Sequence, residues 1–229
     1  MKPIYLIQPN FRSKFNGRDN YWLPYTVGTL WAYARQFSEI TQNYTLAKFI
    51  IKRDDITSLV DTFEDSSVFA FSCYVWNWEY SKALAKAIKK KYPLSHIIFG
   101  GPQVSKRPLE TNFFKNHPYV NSIVIGEGEI GFVKCLKDHA LGKNQKIFHS
   151  ERLNDLEIPS PYLTGLFDQL ISENPDVIWN ATLETNRGCP YQCTFCDWGS
   201  LTYNKVKKFD LTRVFHEMDW IGANCGFVT

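Results

Sequence analysis

The sequence predicts an α/β protein: a doubly wound parallel sheet followed by the start of a second βα region. Three observations carry that reading. Strand-like apolar runs alternate with segments of helical period through the first 150 residues. A stretch bearing Pro159, Pro161 and Pro175, with no sustained period, comes next. Strand and helix patterns then resume after residue 176. Parallel strands need right-handed crossover connections, so this alternation puts helices on both faces of one sheet.

In chain order, residues 3–8 (Pro-Ile-Tyr-Leu-Ile-Gln) read as a buried strand, residues 9–23 as a long loop, and Pro24 as the entry to a helix. That helix carries Val27, Leu30, Trp31, Ala34 and Phe37 on one face. Residues 44–51 form a second strand, 54–63 a short helix and 67–72 a third strand, followed by a helix marked by Tyr80, Ala83, Leu84, Ala87 and Ile88. Residues 95–99 form a fourth strand ending in Gly100-Gly101-Pro102, and 109–115 a short helix. A fifth strand, 120–125, runs into Gly126-Glu127-Gly128-Glu129 and a helix with Val133, Leu136 and Ala140. Five units make a first domain over residues 1–149, joined by a connector, 150–176, to a second region, 177–229. The second region holds a strand at 177–184, a cysteine-rich loop, a helix with Leu211, Val214, Phe215, Met218 and Ile221 on one face, and a further strand beginning at 225. Doubly wound sheets bind ligands beyond the carboxyl ends of their strands. The residues expected there are the loop 9–23, Cys73-Tyr-Val-Trp-Asn77, Gly100-Gly101-Pro102 and Gly126-Glu127-Gly128.

Composition narrows the class. With 44% hydrophobic and 21% charged residues the chain is ordinary globular protein. A net charge of +3, from 26 basic and 23 acidic residues without a polybasic tract, argues against nucleic-acid binding. The apolar run at the start is too short for a secretory signal, and the uncharged stretch 66–78 is too short and too polar to cross a bilayer. A soluble cytoplasmic protein with no membrane partner is expected. Of six cysteines, Cys73, Cys135 and Cys225 are scattered in apolar segments and read as small buried residues, which fits a reducing compartment.

The other three fall in Glu184-Thr-Asn-Arg-Gly-Cys189-Pro-Tyr-Gln-Cys193-Thr-Phe-Cys196-Asp-Trp-Gly199, directly after a strand. Structural zinc takes four ligands, and no fourth Cys or His lies near this loop. Three closely spaced thiolates instead suit a four-iron four-sulfur (4Fe-4S) cluster with one iron left open.

The Cys-x3-Cys-x-Phe-Cys pattern resembles the signature of the radical S-adenosylmethionine (SAM) superfamily. With Phe71-Ser-Cys-Tyr-Val-Trp-Asn77, Phe99-Gly-Gly-Pro102, Gly126-Glu-Gly-Glu129 and Ile158-Pro-Ser-Pro-Tyr162 ahead of it, nearly the whole chain resembles the cobalamin-binding branch. The resemblance implies a flavodoxin-like cobalamin-binding domain followed by the first βα units of a partial TIM-like barrel. It implies that Cys189, Cys193 and Cys196 hold the cluster, that the open iron takes the amino and carboxylate groups of SAM, and that Phe195 lies near the adenine. Ser72, Tyr74, Gly100, Gly101, Gly126 and Glu127 are the implied cobalamin contacts. Reductive cleavage of SAM to a 5′-deoxyadenosyl radical, with methyl transfer to an unactivated carbon, is the implied chemistry, fed by an electron donor such as flavodoxin or ferredoxin. Glu127 and Glu129 also suit a helix start through the dipole, Trp31, Trp76 and Trp78 suit packing, and no histidine is marked as a ligand.

Two features depart from the wider pattern. Other cobalamin-binding domains carry Asp-x-His-x-x-Gly after the first strand, whereas residues 9–17 contain no histidine, so no axial histidine is expected from this loop. A complete eight-unit barrel takes about 250 residues, and only residues 177–229 follow the connector. The expectation is a remnant with an exposed strand edge, poor SAM affinity, and a further polypeptide supplying the missing strands. A radical SAM cyclase or rearrangement enzyme, a non-catalytic cofactor-binding fragment and half of a split enzyme are the alternatives.

Overall fold

The computed structural model describes residues 1–191, 193, 194 and 205–229. Its main sheet is built from β1 (Lys2–Ile7), β4 (Tyr44–Ile50), β5 (Val68–Ser72), β6 (His96–Gly100), β7 (Ser122–Gly126) and β8 (Ile147–Ser150). The spatial order is β4-β1-β5-β6-β7-β8, with every pairing parallel. Counting these six strands along the chain gives 2-1-3-4-5-6, the flavodoxin-like winding, whose switch point lies between β1 and β5.

Side chains alternate between the faces, as the two-residue strand period requires. Ile4, Leu6, Val68, Ala70, Ile98 and Val124 pack with α1 (Tyr25–Ala34) and α6 (Gly128–Ala140) through Val27, Trp31, Phe132 and Leu136. Tyr5, Ile7, Phe69, Phe71, Ile97 and Phe99 pack on the opposite face with α3 (Ile56–Val60), α4 (Trp78–Lys91) and α5 (Phe113–Asn116). Each fully buried large apolar side chain contributes about 1.5–3 kcal/mol, and neither face of this sheet is left to solvent. Short α2 (Ser38–Asn43), placed by no apolar period in the sequence, precedes β4.

The sheet has six strands rather than five. β8 adds beyond β7 through pairs such as Ile123↔Ile147 and Val124↔Phe148. Its four residues Ile-Phe-His-Ser alternate weakly and follow a polar stretch, so periodicity does not reveal it.

The larger correction concerns residues 9–23, which are not a long loop. They form a hairpin of β2 (Ser13–Phe15) and β3 (Arg18–Trp22) around Asn16 and Gly17, whose φ values of 49° and 77° suit a type I′ turn. β3 pairs in parallel with β9 (Ile178–Ala181), and β9 with β12 (Phe227–Val228), giving a second sheet ordered β12-β9-β3-β2. The side-chain amides of Asn20 and Asn180 bond to each other across this junction. Arg18 donates to the carbonyls of Asp176 and Pro175 at 3.0 and 2.8 Å. The edge of β9, expected to be exposed, is therefore covered by a strand from the first 25 residues.

The connector holds α7 (Asp168–Ser172) and packs into the core shared by the two sheets. Tyr162 is fully buried, lies against Tyr25 and Trp220, and donates its hydroxyl proton to the carbonyl of Thr182 at 2.7 Å. α8 (Leu211–Asn224), capped by Asp210, buries Val214, Glu217 and Ile221, whereas Leu211, Phe215 and Met218, which the sequence pattern puts on the same face, are exposed. No helix among the described residues is long and apolar enough to cross a membrane.

Candidate functional site

The carboxyl ends of β1, β5, β6 and β7 form one rim. At the β1/β5 switch point, the side-chain carbonyl of Gln8 accepts from the amide of Val27 at 3.3 Å, and Thr26 and Tyr74 share a hydroxyl contact at 3.1 Å. The β5–α4 turn is held by fully buried Asn77, which donates to the carbonyl of Ser72 at 2.9 Å and accepts from the amide of Tyr74 at 2.8 Å. Tyr74 stacks on Trp76 with ring centroids 4.5 Å apart. Trp31 and Trp78 pack against the two core clusters, as expected from sequence, whereas Trp76 is partly exposed and packs through its stack on Tyr74.

Ser72 sits on this rim at 3% exposure, and its hydroxyl has no hydrogen-bond partner among the described residues. A buried polar atom left so costs about 1–3 kcal/mol unless something outside the fold satisfies it. Gly100 lies directly across from Ser72 in the strand register. A Cβ at Gly100 would meet the carbonyl oxygen of Val124 at an ordinary 3.6 Å, so the fold itself does not require glycine there. Gly101 is different: at φ +99° its Cβ would come within 2.7 Å of the Cys73 carbonyl oxygen, so its glycine is explained by backbone packing between β5 and β6. Gly126, also at φ +99°, crosses close over Ser150. The rim thus joins Ser72, Tyr74, Gly100, Gly101, Gly126 and Glu127 at one end of the sheet, as expected.

The cysteine loop lies between β9 and α8 along the chain. Its base is closed by β10 (Asn186–Arg187) pairing antiparallel with β11 (Lys207–Lys208), and by the Phe209 amide donating to the Thr185 carbonyl. Cys189 is half-buried, Cys193 is exposed, and both are free thiols. Cys196 and Phe195 lie outside the described residues. Among the described residues no three His, Cys, Asp or Glu side chains converge as metal ligands.

Arg187, two residues before Cys189, is the polar centre of this region. Its guanidinium forks onto Glu184 at 2.8 and 3.0 Å, reaches Glu129 at 2.7 Å and lies 3.6 Å from Glu127. Burial works against its charge, but the bonds to Glu184 and the field of Glu129 overcome that and raise its pKa. Glu127 also accepts from Arg152 at 2.8 Å, and Arg152 in turn donates to the carbonyl of Lys205 on the returning limb, at 3.4 and 3.5 Å. Glu127 and Glu129 therefore serve ion pairs between distant segments in addition to opening α6. Sequence reasoning does not find Arg187 and Arg152, because an ion pair between distant segments leaves no local pattern. Tyr25, donating to Glu184 at 3.2 Å, extends the network to α1.

At the opposite end of the sheet, two histidines that look scattered in the sequence are neighbours. The His96 and His139 rings lie 4.3 Å apart. The Tyr44 hydroxyl donates to the carbonyl of Leu136 at 2.9 Å and so accepts from Nδ1–H of His139 at 2.6 Å. Ser122 donates to the carbonyl of Gln145 and accepts from Nε2–H of His96, each at 3.1 Å. Burial, with His139 nearby, pushes the pKa of His96 down to about 3, and burial pushes that of His139 down to about 4.

No family model matches the chain. It is 35% identical over 222 residues to the 2-(S-pantetheinyl)-carbapenam-3-carboxylate methyltransferase of Streptantibioticus cattleyicolor, an alignment covering 89% of this chain and 32% of that protein. It is likewise 35% identical over 230 residues to the cobalamin-dependent radical SAM methyltransferase TokK of Streptomyces tokunonensis, covering 92% and 34% respectively. The fold is α/β with a flavodoxin-like parallel sheet, and a second, smaller sheet supplies the strand β9 that precedes the cysteine loop. The chain thus spans about a third of the length of two curated methyltransferases that it resembles, one of them named as cobalamin-dependent and radical SAM.

Proposed function

We propose that the chain provides the cobalamin-holding and cluster-holding parts of a radical SAM methyltransferase. The observation that carries this reading is the attachment of the cysteine loop, through Arg187 and Arg152, to Glu127 on the rim that also carries Ser72 and Gly100. That attachment supports a reading in which the two candidate cofactor regions are neighbours.

The residues present suit both groups. Ser72 offers a buried hydroxyl with unused capacity, Gly100 leaves backbone bare where the fold would admit a Cβ, and Glu127 and Glu129 each keep a buried carboxylate oxygen without a hydrogen bond among the described residues. Those acceptors and that bare backbone favour a large, amide-rimmed cofactor such as cobalamin. Ser72, Tyr74, Gly100, Gly101, Gly126 and Glu127 would hold it, with no axial histidine from residues 9–17. Cys189, Cys193 and Cys196 would hold a 4Fe-4S cluster, the thiolate being the ligating form. When bound, these groups with SAM would supply a carbon-centred radical and a transferable methyl group, with the electron coming from a flavodoxin- or ferredoxin-like donor. The chain's own contribution is positional: Phe195 would flank the adenine, and the β10–β11 pair closes the base of the loop.

Anaerobic reconstitution with iron and sulfide tests the cluster assignment. The chain should take up a four-iron cluster, and Cys189→Ala, Cys193→Ala or Cys196→Ala should each abolish it. Cys135→Ala should retain it, because that thiol is buried in the core and burial pushes its pKa up to about 12. Full cluster content in the Cys193→Ala protein would overturn the assignment.

A further inference from the structure

We propose that Glu127 is a positioning residue that fixes both limbs of the cysteine loop to the rim of the six-stranded sheet. The loop departs through Arg187 and returns through Lys205, and a single carboxylate reaches both. One oxygen of Glu127 lies 3.6 Å from the Arg187 guanidinium on the departing limb. The other accepts from Arg152 at 2.8 Å, and Arg152 spans onward to the Lys205 carbonyl on the returning limb. All three charged side chains are 19% exposed or less, so water does little to weaken these contacts.

Glu129 supplies the internal contrast. It is more deeply buried than Glu127 and bonds Arg187 more closely, at 2.7 Å, but that ion pair serves the departing limb. Arg187 is also oriented from its own segment by the two-pronged grip of Glu184, a geometry that fixes the plane of the guanidinium. Glu127 and Glu129 flank Gly128, where β7 gives way to α6, so a shift of this turn would be carried to both limbs through Glu127. The arrangement lets the cobalamin side of the molecule set the position of the cysteines, and that consequence rests on the function proposed above. The clamp itself does not.

The test therefore uses the metal-free chain first. Hydrogen exchange is followed at the amides of residues 184–191 and 205–209 in the Glu127→Gln and Glu129→Gln proteins, each of which keeps the shape and loses the charge. Removing a charge-assisted bond should raise local opening about tenfold. Glu127→Gln should speed exchange in both limbs, and Glu129→Gln in the departing limb and its paired residues 207–209 while leaving the amides of Lys205 and Val206 unchanged, with the amides of β5 and β6 unchanged in each. If Glu127→Gln does not fold, Arg152→Lys should loosen Lys205 and Val206, and Arg187→Lys the departing limb with residues 207–209. Equal effects of the two glutamate variants, or no effect of Glu127→Gln, would overturn the proposal. In the reconstituted protein, Glu127→Gln should shift the electron paramagnetic resonance signature of the reduced cluster at unchanged iron content, which a purely stabilising contact would leave in place. A wild-type chain that takes up no cluster would count against the proposed function, while the exchange pattern would still decide the clamp.

Discussion

The two ends of the six-stranded sheet carry different polar clusters, a histidine pair at one end and a glycine-bearing rim at the other. At the amino ends of the strands, Tyr44, Ser122, His96 and His139 satisfy one another and the nearby carbonyls of Leu136 and Gln145, and the Ser95 hydroxyl beside them is buried without a partner among the described residues. At the carboxyl ends, the Ser72 hydroxyl is buried without a partner among the described residues, and Gly100 leaves backbone bare that the fold could have covered. Both ends are built on the same strands, so the difference does not come from burial alone. A network closed by its own chain stabilises the sheet, whereas one left open costs stability and is retained where a ligand completes it.

The largest expected effect separates two adjacent glycines on the rim. Gly101→Ala would force a Cβ to within 2.7 Å of the Cys73 carbonyl at a positive φ and should cost about 3 kcal/mol in denaturant unfolding. Gly100→Ala should cost less than about 1 kcal/mol, since its Cβ meets only ordinary contacts. A similar loss in both would erase the distinction between packing glycine and ligand-facing glycine.

Acid should act on the opposite end. His96 and His139 are held neutral in the fold, with pKa values pushed down to about 3 and about 4 from the ordinary 6.5 of a solvated histidine. Below about 6.5 the unfolded chain binds more protons than the folded one, so the stability tied to these rings is present above that pH and is lost as pH falls toward 4. The thermal midpoint should drop over this window, and His96→Gln should flatten the drop. A wild-type midpoint independent of pH there would contradict the burial of the pair.

Smaller effects sharpen the contrast. Tyr44→Phe leaves Nδ1–H of His139 without its acceptor and should cost about 1–2 kcal/mol, with cobalamin affinity unchanged. Ser72→Ala should raise the stability of the cofactor-free chain by about 1 kcal/mol, because it removes a buried hydroxyl that makes no bond among the described residues, while weakening cobalamin about fivefold.

Much of this architecture is legible in the sequence because periodicity reports burial. The apolar runs around Leu6, Phe71, Phe99 and Ile123 are buried on both faces, and each marks its strand. The β2–β3 hairpin escapes such a reading although Asn16-Gly17 is a hairpin signal: the flanking residues Ser-Lys-Phe and Arg-Asp-Asn are polar and mostly exposed, so no alternation supports it. The cysteine spacing is readable because a cluster needs nearby thiols. The Arg187 network is not, since Glu127, Glu129 and Arg152 come from other segments and nothing local ties them to the loop.

The most direct test of the open rim is a cobalamin titration of the chain, read by visible absorption and equilibrium dialysis, in wild type, Gly100→Ala and Tyr44→Phe side by side. Wild type and Tyr44→Phe should bind alike at micromolar concentration or below, with a spectrum lacking a histidine on cobalt, and Gly100→Ala should bind at least about fivefold more weakly while remaining folded. Failure of the wild-type chain to retain cobalamin at micromolar concentration, or equal binding by folded Gly100→Ala, would contradict the account.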